Sequence, residues 1–143
     1  MNIRLINSKA NEVLTSFGAV SCPVDIEAVA VHRGLKVLPY PLGDDVSGLL
    51  AIENGIGTIG YNKSEPKVRR RFTIAHELGH YELHRSQNNL FVDKQFILRS
   101  DKINYTSAVT QAMEQEANAF ASIILMPTDL VKEQVAVIEM DLG

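Results

Sequence analysis

Apolar residues recur at helical spacing from the start of the chain. Leu5, Ile6, Ala10, Val13, Leu14 and Phe17 predict a first helix, which Gly18 can end. A second, shorter helix is predicted over about residues 24–33, with Ile26, Val29 and Ala30 turned inward and Gly34 at its end. Residues 35–38 then read as a strand, stopped by Pro39 and Pro41. Next comes a hairpin in which residues 49–52 pair with residues 56–61 across Glu53, Asn54 and Gly55. Asn-Gly favours that turn because its two central residues need positive φ.

Ser64 is a credible N-cap for the helix that follows, and Pro66 is tolerated in its first turn. This helix is expected to reach about His84, with Val68, Phe72, Ala75 and Leu83 as its buried stripe. Asn88 and Asn89 mark a loop, and residues 90–106 carry no pattern that assigns them. Residues 107–126 predict a long apolar helix ended by Pro127. Thr128 can cap a final helix bearing Leu130, Val131, Val135 and Ile138. Helices outside a small sheet, rather than alternating with parallel strands, predict an α+β fold. With no internal repeat, low-complexity stretch or long linker, residues 1–143 read as a single domain.

Composition narrows the classes. A chain of 143 residues can bury roughly 68–70% of its unfolded surface, enough for a core without staples. The net charge of −3 argues against a nucleic-acid binder. The basic run from Lys63 through Lys67 to Arg69, Arg70 and Arg71 is either a solvated helix face or a docking surface for an acidic partner. The longest mainly apolar run, near residues 120–126, is far short of the ~20 residues of a membrane span. Asn2, Arg4, Asn7 and Lys9 interrupt the first ten residues, so no leader is expected and a cytoplasmic location follows. The single cysteine, Cys22, agrees with a reducing compartment and reads as a small buried hydrophobe.

The segment with the most chemistry is Arg71-Phe72-Thr73-Ile74-Ala75-His76-Glu77-Leu78-Gly79-His80, which contains H-E-x-x-H. On a helix, residues four apart lie ~40° apart around the axis and ~6 Å along it, so His76 and His80 can reach one ion. Glu77 faces the same side without binding, placed to take a proton from a water that the metal activates. This is the metalloprotease arrangement. Zinc suits imidazole and carboxylate ligands best, and manganese is also compatible.

A catalytic site of this kind needs a third protein ligand. His84 lies ~12 Å along the axis from His76 and is expected instead at the helix end, where positive charge is welcome. His32 reads as a surface residue. The later helix, with Glu114-Gln115-Glu116-Ala117-Asn118-Ala119-Phe120-Ala121, is the better source, because a carboxylate in so apolar a helix needs a partner. Glu114 and Asn118 share a face, and Ala117 and Ala121 would let that helix approach the motif helix near Gly79. Angular reasoning favours Glu114 as ligand over Glu116 and leaves both open, with Asn118 placed to hydrogen-bond a ligand histidine. The strand over residues 56–61 is either a sheet edge that could take an extended substrate or an internal strand. Tyr105 and Tyr81 are candidate oxyanion donors.

These two motifs, continued by Ile124-Leu125-Met126-Pro127, resemble the ImmA/IrrE family of metallopeptidases over roughly residues 20–130. The resemblance implies a zincin-like domain with the metal between the motif helix and the later helix. The family pattern Glu-x-x-Ala-x-x-Phe-Ala falls on Glu114, Ala117, Phe120 and Ala121, which selects Glu114. It further implies cleavage of a helix-turn-helix transcriptional repressor in a mobile-element or stress-response regulatory pair, with no direct nucleic-acid contact. The competing expectation is a metal-containing protein that sequesters the repressor without cutting it. Glu82 departs from the family, standing where an apolar residue is usual. The chain stops 16 residues after Pro127, where relatives commonly continue, so a docking portion is expected to lie beyond it or the chain to be a fragment.

Overall fold

Asn54 and Gly55 adopt φ of 51° and 77°, so β2 (Val46–Glu53) turns directly into β3 (Ile56–Asn62) with Glu53 opposite Ile56. Around this hairpin a computed structural model describes residues 1–18, 21–94 and 110–127. The other elements are α1 (Ile3–Phe17), α2 (Ile26–His32), β1 (Lys36–Tyr40), α3 (Lys67–His84), β4 (Leu90–Lys94) and α4 (Gln111–Leu125). The architecture is α+β: a mixed four-stranded sheet in the order β1-β3-β2-β4, with four helices among the described residues. Only the β1–β3 pair is parallel. None of these helices is long and apolar enough to cross a membrane.

Polar residues before three of the helices fix where they start. Asn2 accepts from the Leu5 N–H at 3.1 Å, Asp25 from Ala28 at 3.2 Å and Thr110 from Met113 at 3.2 Å, each satisfying a donor that the helix leaves open. The α3 start differs from expectation. Pro66, not Ser64, stands at its N-cap, and no side chain caps it. α3 is buried almost continuously from Thr73 to His80, because the sheet covers one side and α2 and α4 cover others. Gly79 is what permits the close α4 approach: a Cβ there would meet the Ala117 carbonyl oxygen at 3.2 Å and Phe120 at 3.1 Å.

Several expectations change. β3 lies between β1 and β2, so it is internal and offers no free edge. β1 runs through Pro39 to Tyr40 instead of stopping at Leu38; it is the sheet's edge strand, where a missing N–H is tolerated. Val68 and Leu5 are exposed, not inward: Val68 lies in the first turn of α3, and Leu5 lies off the face of α1 on which Ile6, Ala10 and Val13 are buried. Cys22 is exposed, since it lies in the connection between α1 and α2 rather than on a packed face. The basic run is not one solvated face: Arg71 donates to the Val24 carbonyl at 2.7 Å and Arg69 pairs with Glu65 at 3.3 Å. The final helix proposed after Thr128, the start of the long helix over residues 107–109, and Tyr105 lie outside the described residues.

Candidate metal centre

One face of α3 carries His76 and His80, and α4 crosses it with Glu114 and Asn118. The crossing brings the His80 Nε2 to 2.9 Å from Glu114 Oε1, and the His76 Nε2 to 3.1 Å from Glu114 Oε2. The other ring nitrogens are held from behind. His76 Nδ1 donates to the Asn118 side-chain oxygen at 2.8 Å, which leaves Nε2 as the atom facing the carboxylates. Phe91 stacks on the His80 ring at 4.5 Å between centroids.

The sheet adds a residue that the sequence pattern did not single out. β4 pairs antiparallel with β2, Asp93 opposite Gly48, next to a register shift between Val46 and Gly48. Alternation along β4 turns Phe91 and Asp93 inward, and Asp93 Oδ2 comes to 2.9 Å from His76 Nε2. His76, His80, Asp93 and Glu114 are all buried, and each offers a donor atom within 4.8 Å of the others. The only signal for Asp93 was the alternation itself, masked by an acid in an inward position. Glu116 stays outside this group.

Charges packed this closely perturb one another. Burial would lower the His76 pKa, but Asp93 and Glu114 overcome it and raise it from 6.5 to about 10. Burial would raise that of Asp93, yet His76 and then His80 hold its carboxyl well below the usual carboxylate range. Glu77 is fully buried, and burial, then Asp93 and Glu114, push its pKa well above the ordinary value. Neither Glu77 oxygen has a hydrogen-bond partner.

His84 stands at the end of α3, as expected, but it is buried, and burial, then His80, lower its pKa. Its Nδ1 lies 3.0 Å from His80 Nδ1 and its Nε2 3.4 Å from Glu116. Tyr81 packs toward Gly57 on β3 and under the Arg85 guanidinium, 4.7 Å from its ring centre, which occupies it away from the histidines. His32 is exposed, as its reading as a surface residue required.

The donor set suits a divalent cation. His76 Nε2 approaches two carboxylates at ion-pair distance without hydrogen-bond geometry, and Asp93 Oδ1 and both Glu77 oxygens are likewise buried without a hydrogen-bond partner. Buried polar atoms are normally satisfied. Buried ligand atoms that converge on one small volume without partners are what a metal ion would satisfy. A small cleft of about 40 Å³ opens on this cluster, lined in part by Ser47, Phe72, Thr73 and Arg69.

The profile of the peptidase family described as the IrrE N-terminal-like domain matches residues 30–141. Over 105 residues the chain is 28% identical to an "uncharacterized immunity region protein 2" of Bacillus phage phi105, covering 73% of this chain and 60% of that protein. It is 27% identical over 105 residues to the metallopeptidase ImmA of Bacillus subtilis strain 168, covering 73% and 56% respectively. The chain thus spans less than two thirds of the length of either relative. The mixed four-stranded sheet flanked by helices is consistent with a zincin-like domain of this family.

Proposed function

Because this chain belongs to the IrrE N-terminal-like peptidase family, we propose that it is a zinc-dependent endopeptidase made of one domain, with a helix-turn-helix transcriptional repressor as its substrate. The observation that carries the reading is the convergence of His76, His80 and Glu114 from two crossing helices, with Glu77 buried beside them and its oxygens unpaired. His76, His80 and Glu114 would hold the metal, and Asn118 would fix the His76 ring. When bound, the metal supplies Lewis-acid polarisation of the scissile carbonyl and makes a water acidic enough to act at neutral pH.

Glu77 does the proton transfer. Its burial beside the two histidines, with both oxygens unpaired, suits a group that must both take and give a proton. It accepts the proton of the attacking water and returns it to the leaving nitrogen. A cytoplasmic site of action fits such a substrate. The repressor assignment is supported by the family resemblance and by a relative named for a phage immunity region.

Glu77→Gln tests the reading, since it keeps volume and removes the base. Zinc content is expected to stay stoichiometric, while cleavage of a helix-turn-helix repressor substrate falls by ~10²–10⁴-fold. A Glu77→Gln protein that inactivates the repressor as fully as wild type overturns the enzymatic reading in favour of sequestration.

A further inference from the structure

Asp93 is an additional donor in a site where hydrolysis needs an open position. Catalytic zinc sites keep three protein ligands and leave the fourth place to water, whereas sites with four protein ligands are closed. Here two imidazoles and two carboxylates from three elements, α3, α4 and β4, all face one small volume. Four donors about 2.0–2.1 Å from one tetrahedral ion sit roughly 3.3–3.4 Å apart. Three of the observed separations, 2.9, 2.9 and 3.1 Å, lie near that figure, and all four residues offer a donor atom within 4.8 Å of the others.

Resting on the metallopeptidase reading above, we infer that Asp93 is a fourth protein ligand that holds the metal site closed, and that β4 must draw back for a water and a substrate carbonyl to enter. Three features support this. Asp93 is 8% exposed and one of its oxygens has no hydrogen-bond partner, so it is aimed into the cluster and not at solvent. The cleft over the cluster is narrow, with about 40 Å³ of room for a few waters at ~10–15 Å³ each. Among the described residues β4 pairs with β2 alone, and its ladder with β2 is irregular beside Asp93. An edge strand with an interrupted ladder is the element that can shift at least cost. The competing role for Asp93, a partner that only orients His76, is already filled from the other side of the ring by Asn118 at Nδ1.

The test uses the full chain loaded with Co²⁺, with acetohydroxamate as the probe for a free coordination position. Wild type is expected to bind one Co²⁺ and to resist the hydroxamate. Asp93→Ala, folded by circular dichroism, is expected to bind Co²⁺ at least about tenfold more weakly, as loss of a ligand should cost no less than loss of a supporting group. Its visible spectrum should respond to hydroxamate at a concentration at least about tenfold lower than wild type. An Asp93→Ala protein with wild-type affinity, spectrum and hydroxamate response overturns the inference and leaves the peptidase reading standing. Wild type that binds no Co²⁺ overturns both. Should Asp93→Ala fail to fold, a crystal structure of the zinc-loaded wild type decides: Asp93 within about 2.0–2.2 Å of the ion supports the inference, and water there with Asp93 withdrawn overturns it.

Discussion

The Nδ1 atoms of His80 and His84, one helical turn apart, lie 3.0 Å from each other. Only one of them can carry the proton between the two rings. If His80 Nε2 presents a lone pair to a metal, His80 Nδ1 must be the donor. His84 then keeps its own proton on Nε2, pointing toward Glu116 at 3.4 Å. A chain from His80 through His84 to Glu116 thus fixes the tautomer that metal binding requires.

Replacing His84 removes the acceptor for His80 Nδ1 without touching the face that would meet the metal. His84→Ala is expected to lower zinc affinity by about 10–100-fold, the usual effect of losing a group that supports a ligand histidine. Glu116→Gln, one step further away, is expected to have the smaller effect. Competition with a chromophoric chelator measures both. Equal affinities for wild type and His84→Ala would show that the relay plays no part in ligation.

Metal uptake is expected to release protons at neutral pH. Asp93 and Glu114, against the opposing effect of burial, raise the His76 pKa to about 10, so in protein stripped of metal this imidazole is charged at pH 7.5. It must lose that proton before Nε2 can bind a cation. The sign for folding runs the same way. A raised pKa stabilises the metal-free fold fully below about pH 6.5, and the contribution disappears as pH rises through about 10. Calorimetric zinc titrations at pH 7.5 in two buffers of different ionisation enthalpy count the protons released; a buffer-independent heat contradicts the prediction.

Glu82, buried on α3, is explained by Arg33. Its side chain is 0% exposed and takes both Arg33 Nε at 2.7 Å and Nη2 at 3.1 Å, joining the end of α2 to α3. Glu82→Leu alone strands the guanidinium and is expected to cost about 1.5–3 kcal/mol, the range for hydrogen bonds to charged groups. The double variant Glu82→Leu with Arg33→Met is expected to recover most of that loss, because an apolar pair of similar volume can replace a buried ion pair. Urea denaturation of the three proteins checks it. A double variant no more stable than Glu82→Leu would mean that the cost is not the unpaired charge.

How much of this was legible in the sequence depended on whether the local period was intact. On α3 and α4 it was: spacing alone puts His76 with His80 and Glu114 with Asn118, and the small residues at Gly79 and Ala117 indicate where the helices meet. On β4 it was not. Five residues with an aspartate in an inward position give no apolar alternation, so residues 90–94 could not be assigned and Asp93 stayed hidden. His84 lies two turns from His76, but its neighbour at i−4 on the same face is His80, and spacing from the metal ligand His76 alone does not show that contact. The internal position of β3 was not legible, because the parallel β1–β3 pairing is set by contacts between distant segments.

Gly79 ties the fold to the site, and its substitution separates the two. Alanine is worth about 0.8–1.0 kcal/mol over glycine inside a helix, which favours Gly79→Ala. Against this, the new Cβ would press on the Ala117 carbonyl oxygen at 3.2 Å and on Phe120 at 3.1 Å. Overpacking of that kind costs about 1–3 kcal/mol, and a helical carbonyl cannot turn aside as a long side chain can. The helices must therefore part by a few tenths of an ångström, carrying Glu114, less than one turn from Ala117, away from His76 and His80. The expected result is a net stability loss of about 1 kcal/mol together with a drop in zinc affinity out of proportion to it. Thermal unfolding of the metal-free protein and chelator competition measure the two separately. Unchanged zinc affinity in a destabilised Gly79→Ala protein would show that the distance between α3 and α4 does not govern how Glu114 meets the histidines.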